Sequence, residues 1–226
     1  MPASSPLAEP PVPPSGFPAG AVAARLAAQP GIQKVPSAKL DLFIMRDFID
    51  AALCAALIDR IDARRRPSTI SDDIGDPLFR TSETCDLAAD DPLAITVTSR
   101  ICALTGMAAA HGEPLQGQRY AVGQEFKAHT DYFEPQGIDY ARYCGVAGQR
   151  TWTAMIYLNA VEAGGATRFK VIDKLVVPEP GKLLVWNNLR ADGSGNAATL
   201  HHAMKVRAGS KYVLTQWFRE RPWGWA

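Results

Sequence analysis

The rhythm of apolar and polar positions changes twice along this 226-residue chain. From Pro2 to Pro18 there is no periodicity; the stretch is packed with Pro, Ala and Ser and carries almost no charge. Such a segment buries too little apolar surface to offset the cost of ordering, so residues 1–36 read as a flexible tail in which 21–28 have the composition of a short helix. A strand is predicted over 40–45. Asp50 then caps a helix whose Leu53, Cys54, Leu57, Ile58 and Ile61 share one face. A polar loop follows from Arg64 to about Phe79. A second helix is bounded by Asp91 as N-cap, Pro92 at its first position and Gly106 as terminator, with a stripe at Leu93, Val97, Ile101 and Leu104. From about residue 115 the period shortens to that of strands, predicted over 116–122, 151–158, 182–186, 199–204 and 212–218.

This order predicts an α+β fold with a mainly β core, a sandwich, barrel or jelly roll with helices packed outside. It also predicts one domain over 37–226, with helical support at about 48–110 and the β core at about 113–221. Composition changes little in that picture. A hydrophobic fraction of 47% and a charged fraction of 21% are ordinary for a globular chain. The 24 basic and 23 acidic residues nearly cancel, which gives no global electrostatic reason to expect nucleic acid or an acidic membrane as partner. Cys54, Cys85, Cys102 and Cys144 are too scattered for a zinc site or a disulfide framework. Neither a secretory signal nor a run long enough to span a membrane is evident, so a cytoplasmic location is expected.

The candidate chemistry lies in three of the four histidines. His129 and Asp131 form an H-x-D pair, and residues two apart in a strand point to one face and can converge on one ion. A histidine from a distant strand, His201 or His202, would complete two imidazoles and one carboxylate, the facial set of non-haem iron(II) oxygenases. Alone, H-x-D is weak evidence, since a solvated surface pair looks the same. Lys211 opens the apolar strand that follows; inside a barrel its ammonium would offer an anchor to a dicarboxylate. Tyr120 and Thr153, on neighbouring predicted strands, could donate hydrogen bonds to that same carboxylate.

Several segments in order resemble the prolyl 4-hydroxylase family of iron(II)/2-oxoglutarate dioxygenases. They are Arg80-Thr-Ser82, Leu115-Gln-Gly-Gln-Arg-Tyr120 with Gly123-Gln124, His129-Thr-Asp-Tyr-Phe133, and Arg150 with Thr153 and Tyr157-Leu-Asn159. Further on come Gly164-Gly-Ala-Thr-Arg-Phe169, Pro180-Gly181 before Leu184-Val-Trp186, Leu200-His201, and Gly209-Ser-Lys-Tyr212 leading to Gln216-Trp217-Phe218-Arg219. The similarity runs from about Leu40 to Arg221. It implies a double-stranded β-helix (jelly-roll) core, iron held by His129, Asp131 and His201, and 2-oxoglutarate held by Lys211. The family's ten-residue interval from distal histidine to lysine selects His201 over His202. Tyr120 and Trp217 would line the cosubstrate and substrate pocket. Two positions depart from the pattern: Ala203-Met-Lys-Val206 has lysine where the family has proline, and Ala166 stands where it has glutamate.

By that resemblance the chain is expected to hydroxylate an aliphatic C–H, in the first place of a prolyl residue in a peptide or protein. It would use Fe(2+), 2-oxoglutarate and L-ascorbate and release succinate and CO2. The same chemistry on a free amino acid, a nucleic acid or another small molecule is the alternative, as is a jelly-roll binding module without catalysis. The segment between Tyr132 and Gln149, with Tyr140, Arg142 and Tyr143, reads either as a lid that contacts substrate or as a plain connection.

Overall fold

The computed structural model describes residues 19–69, 76, 78–137 and 140–224. In chain order its main elements are α1 (Ala19–Ala27), β1 (Ile32–Lys34), β2 (Leu42–Met45), α2 (Ala51–Arg64), β3 (Arg66–Pro67), β4 (Glu83–Asp86) and α3 (Pro92–Thr105). There follow β5 (Gln116–Tyr120), β6 (Phe126–His129), α4 (Tyr140–Ala147), β7 (Arg150–Tyr157), β8 (Ala163–Gly164), β9 (Thr167–Phe169) and β10 (Lys174–Val176). The chain closes with β11 (Leu183–Asn187), β12 (His201–Ala203), β13 (Val206–Ala208) and β14 (Lys211–Arg219).

An eight-stranded sheet runs β1-β2-β11-β7-β14-β5-β4-β3, and a four-stranded sheet runs β10-β9-β12-β6. Their pairings are antiparallel. Strand alternation divides the large sheet into two faces. Trp152, Ala154, Ile156, Leu183, Val185, Leu214 and Phe218 pack against Leu57 and Ile61 of α2 and Val97 and Ile101 of α3. The intervening Met155, Tyr157, Leu184, Trp186 and Val213 pack against Phe169, Val176 and Ala203 of the small sheet. This is the jelly-roll layout with helices outside.

The helix signals work as local chemistry. The Asp50 carboxylate accepts from Leu53 N–H, and that of Asp91 from Leu93 N–H, with Pro92 at the first turn of α3. Gly106 ends α3 in the left-handed region at φ 79°, its N–H donating to Cys102 O. Gly117 lets α2 approach β5, because a Cβ there would collide with the Ile61 side chain.

Three expectations need correction. Ordered structure does not wait for residue 37: α1 inserts Val22 and Leu26 into the helical core, Leu26 completely buried, so the Ala-rich stretch is a packed helix. Residues 1–18 of the expected tail, and 70–75 and 77 of the expected polar loop, lie outside the described residues. The segment expected as a loop over 132–149 contains α4, whose Cys144 and Ala147 are buried. The short strands β4, β9 and β10 also go beyond the expected set; at three or four residues they show too little alternation to register.

Candidate active site

His129 is the last residue of β6 and His201 the first of β12, and they face each other as cross-strand partners. Asp131 sits in the bend two residues beyond the end of β6. The H-x-D pair therefore converges through a turn, and not through the two-residue repeat of a strand. One ligand atom from each of the three residues lies within 4.8 Å of the others; among the described residues they form the group able to share an ion.

The hydrogen bonds fix which atoms are offered. His129 Nδ1 lies 2.8 Å from Lys127 O, and His201 Nδ1 lies 2.9 Å from Thr199 O. A carbonyl only accepts, so each Nδ1 carries the proton and each Nε2 keeps a free lone pair. Burial, reinforced by nearby His201, pushes the His129 imidazolium down to about pKa 3, so the ring is neutral. Burial would raise the Asp131 carboxyl, but His201, His129, Arg150 and the Thr153 hydroxyl outweigh it and hold it below its ordinary value. Phe126 stacks on His129 at 3.5 Å between centroids, and Trp186 meets His201 edge-on at 5.1 Å.

The triad sits between two spaces. Outward lies a cleft of about 620 Å³, whose lining includes Phe79, Arg80, Glu113, Tyr132, Tyr143, Arg150 and Trp217. Inward lies a narrow chamber of about 30 Å³ by the same measure, lined by Tyr120, Met155, Thr167, Lys211, Val213 and Thr215 among others. The chamber has room for the end group of a small molecule and the cleft for a much larger one. Lys211 is 1% exposed, and among the described residues no hydrogen-bond partner reaches its Nζ. Aromatic faces lie beside it, Tyr120 at 5.0 Å and Tyr157 at 5.4 Å. Burial pushes its pKa down to about 7. A fully buried amine without an acceptor is costly unless something anionic arrives.

The other expected residues divide. Tyr120 lines the chamber opposite Lys211 in the β5–β14 ladder, its hydroxyl donating to Gln118 Oε1 at 2.9 Å. Trp217 lines chamber and cleft, with the Arg150 guanidinium 4.0 Å above its ring. Thr153 is elsewhere than expected: its hydroxyl donates to Asp131 Oδ2 at 2.7 Å and accepts from Asn188 Nδ2 at 2.9 Å, so it serves the triad and not the lysine. His202 points away from the triad, paired with Glu125 at 2.9 Å. Lys205, the departure from the expected proline, reaches the same Glu125 at 3.4 Å.

Three side chains of the site give no sign of their roles in the sequence. Arg150 makes a two-pronged pair with Glu113, at 2.6 and 2.7 Å, beside Asp131. The partners are 37 residues apart, and only the fold reveals the pair. Asn188 likewise carries no local signal.

A family model for the 2OG-Fe(II) oxygenase superfamily matches residues 115–219, the stretch that supplies the triad, the buried lysine and much of both cavity walls. Over this stretch, a little under half of the chain, it is similar to that superfamily. The match implies iron(II) and 2-oxoglutarate, and the residues fit them: two imidazoles and a carboxylate for iron, and a buried ammonium without a hydrogen-bond partner among the described residues for a dicarboxylate. Among similar proteins, prolyl 4-hydroxylase subunit alpha-1 of Mus musculus is 34% identical over 180 residues, which is 77% of this chain and 34% of that one. This chain thus spans about a third of the length of that relative. Of solved structures, the 2OG complex of a viral collagen prolyl hydroxylase from Paramecium Bursaria Chlorella virus-1 aligns with a TM-score of 0.63 at 23% identity, over 79% of this chain and 95% of that one. A Trichoplax adhaerens prolyl hydroxylase bound to a hypoxia inducible factor peptide fragment aligns at 0.60 and 14%, over 89% of each. At these identities the two structures speak for the fold of this oxygenase. No helix among its described residues is long and apolar enough to cross a membrane.

Proposed function

We propose that this oxygenase hydroxylates an aliphatic C–H of a peptide or protein, in the first place a prolyl residue, converting 2-oxoglutarate to succinate and CO2. The observation that carries the reading is the meeting of three functions at one triad. A wide cleft opens onto the triad, and a narrow chamber lined by His129, Asp131 and His201 also reaches the Lys211 ammonium. When bound, iron(II) with 2-oxoglutarate would let dioxygen act as the oxidant, one of its oxygen atoms going to the substrate carbon as hydroxyl and the other to succinate, and ascorbate would keep the iron reduced. His129, Asp131 and His201 would hold the iron, and Lys211 with Tyr120 would receive the far carboxylate. Trp186 and Trp217 form part of the chamber wall.

A peptide substrate suits the cleft because the hydrogen-bonding capacity of its two arginines is already engaged from within. Arg150 is paired with Glu113, and Arg80 donates to Gln116 at 2.8 Å and Thr84 at 3.1 Å while lying 4.9 Å from the Phe126 ring. Aromatic rings among side chains already engaged with one another favour a partly apolar ligand over a phosphate backbone. Four free cysteines fit work in the reducing cytoplasm. The test is succinate release with iron(II), ascorbate and 2-oxoglutarate, comparing proline-rich peptide, free proline and single-stranded nucleic acid. Proline-rich peptide is expected to stimulate release most, and Asp131→Ala to abolish it. Equal release by wild type and Asp131→Ala would defeat the iron assignment; stimulation by free proline or nucleic acid alone would defeat the substrate.

A further inference from the structure

We propose that Asn188 is a positioning residue that acts through Thr153 to select which oxygen of Asp131 faces the metal. The inference rests on the reading of His129, Asp131 and His201 as metal ligands. Its logic is a count of protons. An ionised carboxylate only accepts, so the 2.7 Å contact between Thr153 Oγ1 and Asp131 Oδ2 uses the single proton of that hydroxyl. The 2.9 Å contact from Asn188 must then bring a proton of its own, which sets the amide with Nδ2 toward Thr153. Reversing the amide would press a second acceptor against an oxygen whose proton is already committed. The relay therefore runs one way, from amide to hydroxyl to carboxylate. It occupies Oδ2 and leaves Oδ1, which lies 3.9 Å from His129 Nε2, as the oxygen free to bind.

Asn188 is built for this single contact. It is completely buried, and its backbone is tied at both ends: N–H to Thr151 O and C=O from Asn196 N–H, each 2.8 Å. Among the described residues its Oδ1 has no hydrogen-bond partner. A buried amide that makes one side-chain hydrogen bond adds little net stability over an apolar group of the same shape. Its use is thus in orienting Thr153.

The experiment titrates cobalt(II), without cosubstrate, into wild type, Asn188→Leu, Thr153→Val, Thr153→Ser and the Asn188→Leu/Thr153→Val double variant. Affinity is read by calorimetry, coordination by ligand-field absorption, and folding by thermal melts. Asn188→Leu and Thr153→Val are each expected to bind about 10–100-fold more weakly, with altered absorption. Thr153→Ser should restore wild-type behaviour. The double variant should bind no worse than Thr153→Val, because Asn188 acts only through that hydroxyl. Wild-type affinity and spectrum in Asn188→Leu, or losses that multiply in the double variant, would overturn the proposal. If Asn188→Leu does not fold, Asn188→Ala removes the same donor and is read in its place. Wild type failing to bind cobalt(II) would instead bring down the metal site itself.

Discussion

Replacing Lys211 by methionine should make the empty protein more stable and the working protein useless. The ammonium has an ordinary pKa of 10.5 and is pushed down to about 7 by burial alone. Between those values the unfolded chain holds a proton that the folded chain lacks, so stability rises with pH through that window and is lowest below pH 7. The difference, 10.5 less about 7, corresponds to roughly 5 kcal/mol at pH 6 and about 2 kcal/mol at pH 9. Relaxation around a buried charge reduces such figures but leaves several kcal/mol. Methionine, one heavy atom shorter, fills most of the same space beside the Tyr120 and Tyr157 rings and has no charge to bury.

The assay is urea unfolding of wild type and Lys211→Met, without metal or cosubstrate, at pH 6 and pH 9. Other titrating groups are common to both proteins and cancel in the difference. Lys211→Met is expected to be the more stable at pH 6, with the gap narrowing by roughly 3 kcal/mol at pH 9. Adding 2-oxoglutarate with manganese(II) should then reverse the order. At a hundred times its Kd a ligand adds about 2.7 kcal/mol to the wild type and nothing to a variant that cannot hold it. A Lys211→Met protein less stable than wild type at pH 6, or a gap that does not change with pH, would refute the reasoning. Either result would mean that the folded ammonium already has an anionic partner.

Three further outcomes are expected. Glu113→Gln removes the partner of Arg150 and should cost roughly 2–4 kcal/mol by urea midpoint, since the pair is largely buried; a loss under about 0.5 kcal/mol would show that solvent already screens it. The His129 imidazole resists protonation down to about pH 3 when folded, against 6.5 as its ordinary value, so in metal-free protein stability should fall as pH drops through that interval. His129→Gln should flatten the Tm-against-pH slope between pH 6.5 and 4, and an unchanged slope would contradict the assignment. Gly117→Ala should destabilise by roughly 1–3 kcal/mol because its Cβ meets Ile61, and Ile61→Ala in the same chain should recover part of that loss; no recovery would locate the strain elsewhere.

What the sequence made legible was chemistry by type, and what it concealed was register. His129 and Asp131 could be named from their H-x-D spacing, Lys211 from its place at the head of an apolar strand, and His201 from the family resemblance. The resemblance chose His201 over His202, and in the fold His201 meets His129 while His202 meets Glu125. The sequence grouped Thr153 with Tyr120 on neighbouring strands beside the lysine, and in the fold Thr153 lies in β7 with Met155 and Tyr157. That grouping could not say how far along the barrel Thr153 lies from the lysine. In the ladder Lys211 stands opposite Tyr120, whereas Thr153 stands opposite Trp217, six residues farther along β14. At about 3.3 Å per residue that is roughly 20 Å, enough to carry a hydroxyl from the carboxylate anchor to the metal. Pairing between strands so distant in sequence is set by packing and turn lengths across the whole domain, which no local pattern encodes.

Register also hides the pair Arg150–Glu113 and the relay from Asn188, since each joins residues from separate elements that only the folded domain brings together. For the same reason the position of Lys211 at the head of a strand does not by itself distinguish an anchor from the more usual snorkelling edge residue. A lysine that opens an apolar strand can turn its ammonium to solvent unless the opposite wall closes over it. That wall is Tyr120 from β5 and Tyr157 from β7, and both must be in register before the charge is trapped. A fold that gives up stability to enclose a cation, and places it behind three converging ligand atoms, has a geometric use for that charge. The stability measurement on Lys211→Met and the cobalt titration of Asn188→Leu probe the two ends of that arrangement separately. A failure of the anchor would leave the metal triad standing, and a failure of the relay would leave the buried charge still in need of an anion.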